Sequence, residues 1–246
     1  MYQANQLIMT GNFALQAKIP TTLWRCLLMQ ISSVMGMQVG IVGAQGELGR
    51  TLVQQCKDRD LTPVAFVRRP QDPIFPPSYS GWLSPAARPE DASTKLPDMR
   101  NIERVDTLNL QACCTADIDA LIFTMSGKPF ENDTTMETFR TLTAAKSERC
   151  NTMCLVSAHG VGDSVVNANV GIKIMRSWYL KDTYASKQQQ EDIFAELRRT
   201  TNKSLIIVRP KVLSFEPIPF NPSATPRCAL ARDILDWCEW DYSKRR

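Results

Sequence analysis

Histidine is almost missing from this 246-residue chain, which holds one, His159. Zinc sites need four ligands at close spacings such as C-x2-C. Eight cysteines are present, but Cys113-Cys114 and the pair Cys150 and Cys154 do not supply that pattern, and one histidine cannot complete it. No metal is therefore expected. Cys56 in LVQQC and Cys154 in MCLV sit inside apolar runs and read as small buried hydrophobes. That usage points to a reducing compartment without a disulfide framework. Long hydrophobic runs are also lacking. No stretch approaches the roughly 18 consecutive apolar residues of a membrane-spanning helix, so no membrane partner is expected. Concentrated positive charge is lacking too: Lys and Arg number 29 against 25 Asp and Glu, and they are scattered. A nucleic-acid partner is not expected. The closing tail, 242–246, with Lys244-Arg245-Arg246, reads as solvated.

Acidic residues are absent before Glu47. Residues 1–36 carry Lys18 and Arg25 and a short apolar stretch, Leu23–Met29. Two readings stay open. One is an organelle presequence. The other is a poorly ordered extension, or sequence upstream of a start at Met35 or Met37. The expected location is cytoplasmic, with organelle import through residues 1–36 as the alternative.

From Met37 onward strands and helices alternate. Gln38–Val42 (QVGIV) is a short apolar strand. Glu47–Lys57 follows as a helix, with Leu48, Leu52, Val53 and Cys56 on one face. Pro63–Val67 is a second strand, Ile102–Val105 a weaker one, and Ile118–Thr124 a further strand. Asp133–Glu148 reads as a helix, Thr152–Ser157 as a strand, and Thr183–Arg199 as a long helix. Leu205–Val208 is a strand stopped by Pro210, and Ala229–Trp240 a last helix. This alternation argues for a parallel sheet covered on both faces. Residues 37–241 form one α/β domain of the doubly wound type. Residues 69–100 interrupt it with seven of the fifteen prolines. A loop of that length reads as a disordered insert or as a lid.

Chemistry is concentrated in the turn Gly43-Ala44-Gln45-Gly46-Glu47-Leu48-Gly49, between a strand and a helix. Gly43 allows a tight turn, Gly46 lets backbone approach a pyrophosphate, and Gly49 lets the helix pack on the sheet. Gln45, Gly46, Glu47 and Leu48 then offer backbone N–H groups at the positive end of the helix dipole. This is the pattern of a Rossmann-type dinucleotide site. At the end of the second strand an acid would bind the ribose of NAD. Here Arg68-Arg69 stand instead, and guanidinium forks pair with phosphate. The cofactor expected is NADP(H).

The run IVGAQGELGR…AFVRRP, followed by ALIFTMSG, LVSAHGVGDS, YASKQQQEDIF and LIIVRP, resembles the atypical short-chain dehydrogenase/reductases. The similarity is to the NmrA-like, NAD(P)H-binding set that includes the biliverdin reductase B or flavin reductase type, and it spans Met37 to Trp240. The resemblance implies that Arg68 contacts the 2′-phosphate and that Asp106, in VDTLN, lies near the adenine. It implies that the loop Thr124–Gly127, with Met125 and Ser126, runs along the cofactor. Ser157 would lie beside the nicotinamide, and Lys187 would begin the following helix. The chain departs from the family at Gln45, usually threonine, and at Val105, usually glycine.

The superfamily's Tyr-x-x-x-Lys pair is not matched, because Tyr184 and Lys187 are three apart. That spacing still shares a helix face, so a catalytic pair stays open beside a surface ion pair of Lys187 with Glu191. His159 reads as a general acid or as a structural loop histidine. The expected activity is hydride transfer from NADPH to a small-molecule acceptor such as a quinone or flavin. The alternative is a non-catalytic NADP(H)-sensing module. Nucleotide-sugar epimerisation is disfavoured by the short C-terminal part.

Overall fold

The computed structural model describes residues 36–74, 102–125, 132–146, 150–168, 170–178, 180–214 and 224–245. The chain divides into two units, Met1–Ser33 and Val34–Arg246, and every described residue lies in the second. The expectations for residues 1–35, and for the insert at 75–100, fall outside the described residues.

Strand β1 (Gln38–Val42) runs straight into α1 (Glu47–Asp58). Then follow β2 (Thr62–Val67), β3 (Glu103–Asp106), α2 (Leu110–Thr115) and β4 (Ala120–Phe123). After them come α3 (Asn132–Lys146), β5 (Thr152–Val156), α4 (Val170–Ser177) and α5 (Lys181–Thr200). The chain closes with β6 (Ser204–Val208), the short pair β7 (Val212–Ser214) and β8 (Ala224–Pro226), and α6 (Arg227–Ser243). Six strands make one sheet in the order β3-β2-β1-β4-β5-β6, and every neighbouring pair is parallel. The strand order reverses between β1 and β4. Such a reversal opens a crevice at the carboxyl ends of the strands.

Side chains alternate between two cores, because successive residues of a strand face opposite ways. Val39, Ile41, Ala65, Val67, Ile122 and Cys154 pack on one face with Leu48, Leu52 and Cys56 of α1 and Leu230, Ile234 and Leu235 of α6. Val64, Phe66, Leu121, Phe123, Met153 and Leu155 pack on the other with Phe139 and Leu142 of α3 and Phe194 of α5. The strands therefore read as unbroken apolar runs. Phe123, Phe139 and Phe194 close the second core, with ring centroids 4.7, 5.7 and 5.8 Å apart. Cys56, Cys113, Cys150, Cys154 and Cys238 are buried, and none forms a disulfide. Burial pushes the thiols of Cys56, Cys154 and Cys238 well up from their ordinary value.

At the opposite edge of the sheet, the amino ends of β5 and β6 are tied to α6. Thr152 Oγ1 and Ser204 Oγ donate to the Asp241 carboxylate, each at 2.5 Å, and Arg245 Nε donates at 3.1 Å. Burial opposes ionisation of Asp241, but the bonds from Ser204 and Thr152 and the charge of Arg245 outweigh it and hold the carboxyl below its ordinary range.

Four elements differ from the sequence expectation. The segment Leu110–Thr115 is a helix started by Asn109, whose side chain accepts the N–H of Ala112 at 3.0 Å. Helix α4 and the pair β7 and β8 were also not anticipated. Among the described residues, no helix is long and apolar enough to cross a membrane.

Candidate functional site

The crevice is built first from the glycine turn. Gly43 takes a φ of +84°, which favours a residue without a side chain. Its N–H donates to Phe66 O at 3.2 Å, and its carbonyl accepts Gly46 N–H at 2.9 Å. Gly49 sits directly on this turn: a Cβ there would stand 2.2 Å from Gly43 O. Helix α1 thus begins against the end of β1. Its N-cap is Gly46, and no side chain caps it. The N–H groups of its first turn stand at the positive end of the dipole.

A cavity of about 200 Å³ opens there, lined by Gly43, Gln45, Gly46, Arg68, Thr124 and Met125 among others. Glu47 and Leu48 sit in the same turn but direct their side chains elsewhere. Glu47 pairs with Arg227 Nη2 at 2.6 Å, and Leu48 belongs to the core. Five lining residues were not anticipated as site residues: Val42, Phe66, Val67, Thr107 and Thr138. The Thr107 hydroxyl is buried without a hydrogen-bond partner. Its position after Asp106 was the available signal.

The loop that carries Arg68 and Arg69 is held from three sides. Gln45 Nε2 donates to Arg69 O at 3.0 Å and to Asp72 O at 3.3 Å. Arg50 Nε donates to Ile74 O at 2.6 Å, and Arg104 Nη1 to Pro70 O at 3.0 Å. Gln45, the departure from the family pattern, thereby clamps the loop that follows β2. Arg68 is exposed and faces the cavity. Arg69 is 74 % exposed at its side chain and lies 3.8 Å from the Asp72 carboxylate. Asp106 uses its carboxylate in a local turn, accepting Leu108 N–H at 2.9 Å.

The carboxyl ends of β4 and β5 form the other wall. Thr124 Oγ1 donates to Val42 O at 2.8 Å and so locks β4 to the glycine turn. Lys187, reaching in from α5, is 5 % exposed. Its Nζ donates to Met125 O, to Val156 O at 2.7 Å and to Gln190 Oε1 at 3.3 Å. Burial lowers its pKa from 10.5 to about 8, with Glu191 opposing. The surface pair of Lys187 with Glu191 is not what forms. Both side chains are buried, and Glu191 accepts from Arg209 Nε at 2.9 Å and Nη2 at 2.7 Å. A guanidinium fork satisfies both carboxylate oxygens, which one ammonium cannot do.

Tyr184 lies apart from Lys187 in its bonding. Its hydroxyl donates to His159 O at 3.2 Å, and burial raises its pKa, with Arg176 opposing. His159 sits half-buried in the turn after β5, its N–H donating to Pro210 O at 3.0 Å. Ser157 directly follows β5, 5 % exposed, and its hydroxyl is buried without a hydrogen-bond partner. Ser126 falls outside the described residues. A larger cavity, of about 610 Å³, lies between α3 and α5 and is lined by Glu137, Arg140, Asp182 and Ser186. It shares no lining residue with the crevice.

Neither a protein-family model nor a curated protein matches the chain in sequence. Solved structures match it in shape. The oxidoreductase ylbE from Lactococcus lactis aligns with a TM-score of 0.58 at 17 % identity, over 84 % of this chain and 87 % of that one. ChuY, an anaerobillin reductase from Escherichia coli, aligns with a TM-score of 0.53 at 18 % identity, over 81 % and 89 %. A UDP-N-acetylglucosamine 4-epimerase from Bacillus cereus aligns with a TM-score of 0.55 at 14 % identity, over 85 % and 75 %. With its parallel six-stranded sheet and flanking helices, the chain carries the Rossmann-like α/β fold.

Proposed function

We propose that the chain binds NADP(H) in the crevice between β1 and β4 and reduces a small acceptor, such as a quinone or a flavin, by hydride transfer. The observation that carries this reading is the uncapped N-terminus of α1, set behind the Gly43–Gly49 turn where the strand order reverses. The orphaned Thr107 hydroxyl in the cavity wall fits a polar ligand. Gly43, Gly46 and the α1 N–H groups would hold the pyrophosphate. Arg68, on a loop clamped by Gln45 and Arg50, would meet the 2′-phosphate, with Arg69 beside it. Ser157 would hydrogen-bond the nicotinamide carboxamide or the acceptor. The bound cofactor supplies the hydride, and the acceptor takes a proton besides. The named activities of the similar oxidoreductase and anaerobillin reductase support this class of chemistry.

The second reading is a sensor that binds NADP(H) without turnover. It is favoured by the state of the Tyr184 and Lys187 pair: Lys187 is committed to three oxygens, and the Tyr184 phenol is made less acidic by burial.

Titration with NADPH and NADH tests the cofactor. Hydrogen bonds to charged groups contribute roughly 1.5–3 kcal/mol, so Arg68→Ala weakens NADPH about ten-fold or more and leaves NADH nearly unchanged. Equal losses for both cofactors would contradict the assignment. Steady NADPH oxidation with a panel of quinones and flavins separates enzyme from sensor.

A further inference from the structure

The segment between the end of β5 and the start of α5 exposes a row of large apolar side chains. Val166 is 81 % exposed, Val170 72 %, Ile174 53 % and Trp178 83 %. They recur every four residues, from the turn before α4, along the helix, to the residue after it. On the helix that spacing places Val170 and Ile174 on one side, with exposed Val166 before it and exposed Trp178 after it. The opposite row faces the protein. Ala168 is buried, and a Cβ on Gly160 would meet Ile172 Cγ2 at 2.7 Å. Arg176 Nη1 donates to Gly160 O at 3.3 Å. Helix α4 is thus seated by residues 168, 172 and 176, and the row two positions away points outward.

Charge selects the occupant. From Ser164 to Lys181 the sequence holds Lys173, Arg176 and Lys181 and no acidic residue, with the exposed Asp163 and Asp182 bordering the stretch at its two ends. Lys173 and Lys181 are exposed beside the apolar row. A second copy seated on this face would bring these lysines against their own like charges. Residues 1–35 carry Lys18 and Arg25 and no acid, so they share the sign and do not complement it. Apolar side chains in one row, a tryptophan at its end and flanking lysines make up the pattern of helices that lie in a membrane interface. We propose that α4 and its flanks dock on an anionic lipid surface. Val166, Val170, Ile174 and Trp178 enter the headgroup boundary, and Lys173 and Lys181 meet the negative lipids.

Vesicle co-sedimentation of the full chain tests this. Vesicles of phosphatidylcholine mixed with phosphatidylserine bind the protein at low salt, phosphatidylcholine alone binds it far less, and added salt releases it. Val170→Asp with Ile174→Asp, and separately Lys173→Glu with Lys181→Glu, each lower binding about ten-fold or more. Both pairs point outward, so circular dichroism and melting stay as in the parent. Failure of the parent to bind mixed vesicles at low salt overturns the proposal. So does unchanged binding by the aspartate pair. A parent dimer that the aspartate pair converts to monomer in gel filtration assigns the face to a second copy and equally overturns it, as does a large fall in melting temperature.

Discussion

All three ammonium protons of Lys187 point at oxygens, two of them carbonyls at the ends of neighbouring strands. This residue braces the crevice wall. Its folded pKa, near 8, lies below its ordinary 10.5, so the unfolded chain binds more protons between those values. Stability from this group is therefore reduced below about pH 8 and recovers as pH rises toward 10. Lys187→Met is expected to lose that alkaline rise, and it leaves Met125 O and Val156 O unpaired, so stability also falls by about 1–3 kcal/mol. Urea titrations from neutral pH upward show it; an unchanged slope in the variant would refute the assignment. Tyr184 gives the contrasting case. Its hydroxyl serves the His159 carbonyl, whereas Lys187 serves Met125 O, Val156 O and Gln190 Oε1. General acid catalysis contributes roughly 10²–10⁴-fold. Tyr184→Phe should cost less than about ten-fold in turnover with a quinone acceptor. A hundred-fold loss with NADPH binding intact would make Tyr184 the proton donor.

At the scale of elements, the glycine turn depends on one contact more than on the others. Any side chain at Gly49 collides with backbone at Gly43 and Ala44, which has no rotamer to yield. Gly49→Ala is expected to lower stability by about 2 kcal/mol or more in urea denaturation. A loss under about 0.5 kcal/mol, the size of an ordinary surface change, would show that α1 can lift from the turn. The elements that carried a clean period were legible in the sequence. Gln38–Val42 was read as it stands, and α5, read as Thr183–Arg199, spans Lys181–Thr200. Helix α4 was not legible, because its apolar residues lie both inward at Ile172 and outward at Ile174, and this hides the usual one-sided pattern. Helix α2 is six residues long, too short to show a period. In the site, the glycines and the strand-end residues Arg68, Thr124 and Met125 could be read from position along the strands. The clamp of Gln45 on Arg69 and Asp72, 24 and 27 residues away, could not. Nor could the claim of Arg209 on Glu191. Pairings of this kind are set by which elements the fold brings together, and local sequence does not encode them.

For the molecule as a whole, the two edges of the sheet have different duties. The carboxyl edge carries the crevice, and the amino edge carries Asp241 with Thr152, Ser204 and Arg245. The carboxyl of Asp241 titrates below its ordinary value when folded. Its contribution is present above about pH 4 and is lost as pH falls through the folded value. Asp241→Asn should lower stability at neutral pH by roughly 1.5–3 kcal/mol, flatten the acid limb of a melting profile, and leave NADPH affinity as it was. An acid limb identical to the parent's would sink this account.

The pairing of α1 with α6 sets the order in which the molecule can be made. Helix α1 follows the first described strand and α6 is the last described helix, yet they share one core. Gln55 Nε2 donates to Cys228 O at 2.8 Å, and Arg59 Nη1 meets Asp236 at 2.7 Å. Until Arg227–Ser243 has been translated, the apolar back of α1 lacks the cover that Leu230, Ile234 and Leu235 supply. The helix that carries the glycine turn is thus secured by α6, which lies far along the chain from it. Nascent chains halted before Arg227 are expected to leave the apolar back of α1 without α6 and to need a chaperone's shelter.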